Sequence, residues 1–129
     1  MKLELELHLI KAYPSLYAGV GKPITESLMS FGFECQDGWF DILDKLSRAL
    51  TDLNEDVVAT QVKEKYGTLH FYIAGGSDRA DELIDTAEDE SAKTCEVCGK
   101  PGKIREACRW LQALCSEHYV EWALRKLEV

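Results

Sequence analysis

Cys95, Cys98, Cys115 and His118 stand in a Cys-x2-Cys-x16-Cys-x2-His pattern near the C-terminus. Two thiols at this short spacing converge on one ion when the chain between them turns tightly, and a second pair at the same spacing completes a tetrahedron. The pattern predicts a structural Zn2+ held by four protein ligands. Four protein ligands leave no coordination position for water or substrate, so the predicted metal serves architecture rather than catalysis.

The surrounding residues agree with that reading. In Cys95-Glu96-Val97-Cys98-Gly99-Lys100-Pro101-Gly102, Gly99 can take the positive φ that a metal-binding knuckle requires. Residues 103–106 and 111–114 read as a short β-hairpin, and Cys115-Ser116-Glu117-His118 opens a helix with Val120, Leu124 and Leu127 on one face. Knuckle, hairpin and ligand-bearing helix resemble a treble-clef zinc finger. Cys108 allows a second ligand set, Cys95, Cys98, Cys108 and Cys115, with His118 left on the surface. The one-turn spacing of Cys115 and His118 favours the first set. Cys35, far upstream, reads as a small buried hydrophobe.

At 129 residues the chain has apolar content enough for a core. The expected organisation is an acidic α+β domain over residues 1–93 with the zinc module, residues 94–129, packed on it. No apolar run is long enough to span a bilayer and no signal-peptide pattern is present. With an odd count of five cysteines, three of them in a metal-type pattern with His118, the expectation is a reducing, cytoplasmic setting with no membrane partner.

The net charge of −8 is unevenly spread: residues 1–94 hold 18 acidic and 9 basic side chains, residues 95–129 hold 5 and 6. The densest acidic stretch is Asp78, Asp81, Glu82, Asp85, Glu88, Asp89 and Glu90, opposed only by Arg79. Such a surface repels nucleic acid phosphates.

Upstream, Leu3, Leu5, Leu7 and Leu9 alternate like a strand, yet Leu and Glu favour helix, and Leu3, Leu7 and Ile10 fit a helical stripe that Pro14 terminates. Helix is the expected state. Asp37 is placed to cap the next helix, whose apolar face is Phe40, Leu43, Leu46, Leu50 and Leu53. Residues 57–63 and 68–73 read as a hairpin joined by Glu64-Lys65-Tyr66-Gly67. Ser77 then caps an acidic helix to about Ala92, with Ala80, Leu83, Ile84 and Ala87 inward. The expected fold class is α+β: a small antiparallel sheet with flanking helices and a C-terminal treble-clef-like zinc module.

Four strings resemble a family of small bacteriophage- and prophage-encoded proteins: Pro23-Ile24-Thr25-Glu26-Ser27-Leu28-Met29, Gly32-Phe33-Glu34-Cys35-Gln36-Asp37-Gly38-Trp39-Phe40, Gln61-Val62-Lys63-Glu64-Lys65-Tyr66-Gly67-Thr68-Leu69, and Thr94-Cys95-Glu96-Val97-Cys98-Gly99. The resemblance covers nearly the whole chain. Gln36 and His70 depart from it, standing where glycine and arginine are usual. It implies a phage-related origin and action in the cytoplasm of an infected cell, and no particular activity.

Catalytic signatures are missing from the sequence. Nucleases built on treble clefs need a further catalytic histidine near the finger, whereas His8, His70 and His118 are the only histidines, and His118 is assigned to zinc. Glu34 and Asp37 are read as a surface carboxylate and a cap rather than an acid/base pair. The chain is therefore expected not to be an enzyme. The leading expectation is an inhibitor or modulator that binds a host protein or protein–nucleic acid complex, anti-defence activity being one form of it, with Asp81, Asp85 and Asp89 imitating phosphate charge. The alternative is a nucleic-acid-binding zinc-finger accessory protein using Lys100, Lys103, Arg105, Arg109 and Trp110. Direct nucleic acid binding is the less favoured of the two, because Glu96, Glu106 and Glu117 dilute that patch.

Overall fold

The computed structural model describes residues 1–127. Its elements run α1 (Leu3–Ala12), β1 (Phe33–Glu34), α2 (Phe40–Asp52), β2 (Val57–Lys65), β3 (Thr68–Gly75), α3 (Asp78–Ser91), β4 (Lys103–Ala107), β5 (Trp110–Leu114) and α4 (Ser116–Leu127), with 3-10 turns at Ala18–Gly21, Leu28–Phe31 and Asp37–Trp39. The architecture is α+β with helices flanking a small sheet. The β2–β3 hairpin is antiparallel, as its alternating pattern predicts. β1 joins it in parallel, with Phe33 opposite Val62 and Glu34 opposite Lys63, so the sheet is mixed. A two-residue strand carries too little periodicity to be read from sequence. No helix among the described residues is long and apolar enough to cross a membrane.

The main core gathers Leu9, Tyr17, Met29, Trp39, Leu43, Leu50, Val62 and Leu69, joined by Ala113 from β5. Its buried polar groups are paired. The Ser47 hydroxyl donates to the Leu43 carbonyl at 2.6 Å and receives the Tyr17 hydroxyl, while the Ser91 hydroxyl donates to Glu88 O and accepts from Leu69 N. Each pairing offsets a desolvation cost that would otherwise oppose burial.

Helix α1 forms, but it is rotated from the expected stripe: Leu3 and Leu7 are exposed and Leu9 is buried. Two polar anchors set that rotation. The Glu6 carboxylate accepts Phe33 N at 3.1 Å, and the Tyr13 hydroxyl donates to the Asp44 carboxylate at 2.7 Å. Asp37 does not cap α2. It sits in the preceding 3-10 turn, where its carboxylate accepts Lys2 N at 2.8 Å and pairs with the Lys2 ammonium. Ser77 holds the N-cap position of α3, yet its hydroxyl is directed to the Glu55 carboxylate instead of the helix amides. The apolar face assigned to α4 is also turned round, with Val120, Leu124 and Leu127 exposed and Trp122 buried. His118 faces the cysteines, so Trp122, four residues on, points inward with Tyr119 beside it, and Val120 and Leu124 point out.

The β2–β3 turn puts Tyr66 and Gly67 at φ 54° and 88°. Two consecutive positive-φ residues are the type I′ arrangement that Asn-Gly favours, and an aromatic side chain at the first position is strained. Replacing Tyr66 by Asn is expected to stabilise the metal-loaded fold by about 1 kcal/mol, read as a raised denaturant midpoint with unchanged slope; a lowered midpoint would refute the assigned strain.

Candidate metal centre

The knuckle begins where α3 ends. Thr94 pairs with Pro101 across an isolated bridge, Cys95 N donates to Lys100 O at 2.8 Å, and Gly99 N donates to Cys95 O at 2.9 Å. Gly99 takes φ 79°, so the glycine that closes this turn is required by backbone conformation. β5 then delivers Cys115 to the start of α4, and the first turn of α4 brings His118 back toward it.

One donor atom from each of Cys95, Cys98, Cys115 and His118 lies within 4.8 Å of the other three. The Cys98 and Cys115 sulfurs are 3.9 Å apart, too far for a disulfide, and His118 Nδ1 lies 3.6 Å from Cys95 Sγ and 3.2 Å from Cys115 Sγ. Tetrahedral coordination with metal–sulfur bonds of about 2.3 Å and metal–nitrogen bonds of about 2.0 Å places sulfurs ~3.8 Å apart and sulfur–nitrogen pairs ~3.5 Å apart. The donor set fits a metal ion. His118 offers Nδ1, not Nε2. Cys108 stands exposed at the tip of the β4–β5 turn and belongs to no such group, so the four-cysteine set is not assembled.

Backbone amides tune the thiols. The His118 N–H donates to Cys115 at the N-terminus of α4, lowering its pKa to about 7. Desolvation pushes Cys98 up, partly offset by the Lys100 N–H. Arg105 is committed locally: Nε donates to Leu114 O at 3.2 Å and its guanidinium lies over the Tyr119 ring, fastening the hairpin to α4. It is thereby removed from the basic patch expected of the finger. Cys35 is buried, and burial pushes its thiol up to about 12, consistent with a packed, unreactive residue.

The knuckle is locked onto the body at Gly38, Trp39 and Glu96. Gly38 N donates to Glu96 O at 2.7 Å, and the indole N–H of the fully buried Trp39 donates to Thr94 O at 3.1 Å. The Glu96 carboxylate, in a residue only 3 % exposed, accepts Gln36 N and the Gln112 side-chain amide. Burial raises its pKa to about 7. Glu96, read from sequence only as a dilution of a basic surface, is a buried contact between the knuckle and the rest of the chain; a Glu between two cysteines of a knuckle carries no local signal of that role.

The other candidate residues occupy separate places. Asp81, Asp85 and Asp89 are exposed along one stripe of α3, and none has an ion-pair partner among the described residues. Their neighbours are engaged: Glu82 with Arg79, Glu88 with His70 and Glu90 with Lys45. His70 also contacts the Thr68 hydroxyl, and His8 packs edge-on against Phe40. Arg109 and Trp110 are turned toward the β2–β3 tip, where they share a cleft with Glu64, Tyr66 and Leu111. No protein-family model, curated protein or solved structure matches this chain.

Proposed function

We propose that this chain is a non-enzymatic, zinc-stabilised protein of the phage type that binds a host complex handling nucleic acid and inhibits or modulates it. Zinc suits three thiols and an imidazole in tetrahedral array, and with four protein donors it holds the fold rather than activating water. Cys95, Cys98, Cys115 and His118 would supply those donors.

The observation that carries the binding role is the unpaired acidic stripe of α3. Asp81, Asp85 and Asp89 recur every four residues, so successive carboxylates rise about 6 Å along the axis. They face solvent without cation partners among the described residues, while Glu82, Glu88 and Glu90 beside them contact Arg79, His70 and Lys45. A row of fixed negative charge steers toward a basic surface of the kind that meets phosphate.

Reversing the stripe with D81K/D85K/D89K is expected to weaken capture of the host complex roughly tenfold or more, with metal content and far-ultraviolet circular dichroism unchanged. Added duplex DNA should compete with the unsubstituted protein for the same captured complex. Equal capture by the variant, or capture indifferent to DNA, would refute the mimicry.

A further inference from the structure

We infer that the cleft between the two hairpin tips binds single-stranded nucleic acid, with a base stacked on the Tyr66 and Trp110 rings and the backbone phosphates held by Arg109, Lys65 and Lys126. The cleft has a volume of about 470 Å³ and is lined by Glu64, Tyr66, Arg109, Trp110 and Leu111. It exists only in the tertiary structure. A Cβ built at Gly67 of the first turn would lie 3.3 Å from the Ile104 side chain and 3.6 Å from Gln112 N, so the first turn approaches the second hairpin closely and residues some forty positions apart meet at one site.

Three features point to a ligand with both flat apolar surface and negative charge. Tyr66 and Trp110 are 72 % and 63 % exposed, whereas the other two tryptophans are buried. Each exposed ring carries a cation: the Lys65 ammonium lies 5.7 Å from the Tyr66 centroid and the Lys126 ammonium 4.6 Å from that of Trp110. With Arg109 lining the same cleft, phosphates can be held beside stacked bases, the combination used by sequence-tolerant single-strand binders. The turns that present these side chains are also made from residues ill-suited to them. Tyr66, Cys108 and Arg109 adopt φ 54°, 51° and 69°, conformations that Asn or Gly would take at lower cost. Backbone strain of this kind gathers at functional sites.

Glu64 orients the strand. Its carboxylate faces the cleft and accepts the Gly67 N–H, and burial raises its pKa. A carboxylate repels phosphate but accepts hydrogen bonds from exocyclic amino groups, so base edges turn toward Glu64 and the backbone toward the cations. Adenine and cytosine carry such amino groups and thymine does not. None of these residues belongs to α3, so the acidic stripe and the cleft stand or fall separately.

The test is fluorescence anisotropy of labelled dA, dC and dT octanucleotides and of a short duplex, titrated with the zinc-loaded full chain at several salt concentrations. Single strands are expected to bind more tightly than duplex, dA and dC more tightly than dT, and all less tightly as salt rises. Trp110→Ala and Tyr66→Asn should each weaken binding about 5- to 100-fold, although Tyr66→Asn stabilises its turn, and D81K/D85K/D89K should leave cleft binding in place. Absence of binding at low salt, equal affinity for duplex, no preference against dT, unchanged binding by the two cleft variants, or tighter binding of an arginine-rich peptide than of any oligonucleotide would each overturn the assignment.

Discussion

Removing zinc with a strong chelator should unfold the segment from Thr94 onward before the rest of the chain. The apolar cluster beside the four donors is small: Cys95, Leu114, Cys115 and Trp122, with Val97, Ala107 and Tyr119 against it. A core of that size cannot offset the conformational entropy of the hairpin and α4, whereas zinc held in short peptides contributes on the order of 10–16 kcal/mol. The loss should spread inward, because Trp39 and Gly38 donate to Thr94 and Glu96 and Ala113 belongs to the main core. Hydrogen exchange of the β4, β5 and α4 amides should therefore rise first on chelation, followed by a lowered unfolding midpoint for β2, β3 and α2. Cys98→Ser and Cys115→Ser should each weaken zinc by more than the 10- to 100-fold typical of outer partners, and His118→Ala should weaken it as well. Cys108→Ser should leave stoichiometry and affinity unchanged. Loss of zinc in Cys108→Ser, or a protection pattern indifferent to chelation, would refute the assigned centre.

Gly38→Ala should be the most damaging single substitution away from the metal. A Cβ built at Gly38 lies 2.2 Å from Cys95 O and 2.5 Å from both Glu96 C and O. All three are backbone atoms, so no side chain can swing aside, and the knuckle must move away from the body. That movement lengthens the Gly38 N to Glu96 O bond and disturbs the fit around Trp39. A cost of about 3 kcal/mol or more is expected from overpacking combined with lost buried hydrogen bonds. Gly21→Ala is the matched control, because a Cβ there meets nothing within 4 Å, and its effect should stay within about 0.5 kcal/mol. Denaturant unfolding of the zinc-loaded variants decides the point; equal midpoints for the two would mean that the knuckle does not depend on this close approach.

The elements legible in the sequence are those whose signal is local and long. α2 and α3 repeat their apolar positions over several turns, and the two hairpins alternate around turn residues, so their type and approximate limits follow from periodicity. The Cys95, Cys98, Cys115 and His118 cluster is legible because a shared site imposes a spacing on the chain itself. Local signals fail where a side chain has a distant partner. Asp37 and Ser77 look like caps by position, but Lys2 and Glu55 compete for them from elsewhere in the chain. The inward faces of α1 and α4 are not legible locally because short helices with apolar residues on several sides have no unique stripe, and Glu6, Tyr13 and His118 choose the rotation through nonlocal contacts.

Spacing, periodicity and charge are properties of the chain in order, so the cluster of three cysteines and one histidine, the α+β class and the acidic imbalance can be read from the residues alone. Which aromatic side chains are available depends on how the chain packs. Trp39 is fully buried and spends its N–H on the knuckle, while Tyr66 and Trp110 stand out on facing turns beside three cations. The distinction is physical: burial and juxtaposition depend on which surfaces meet when β5 and the knuckle dock on the body, and that information lies in pairs of residues distant in sequence.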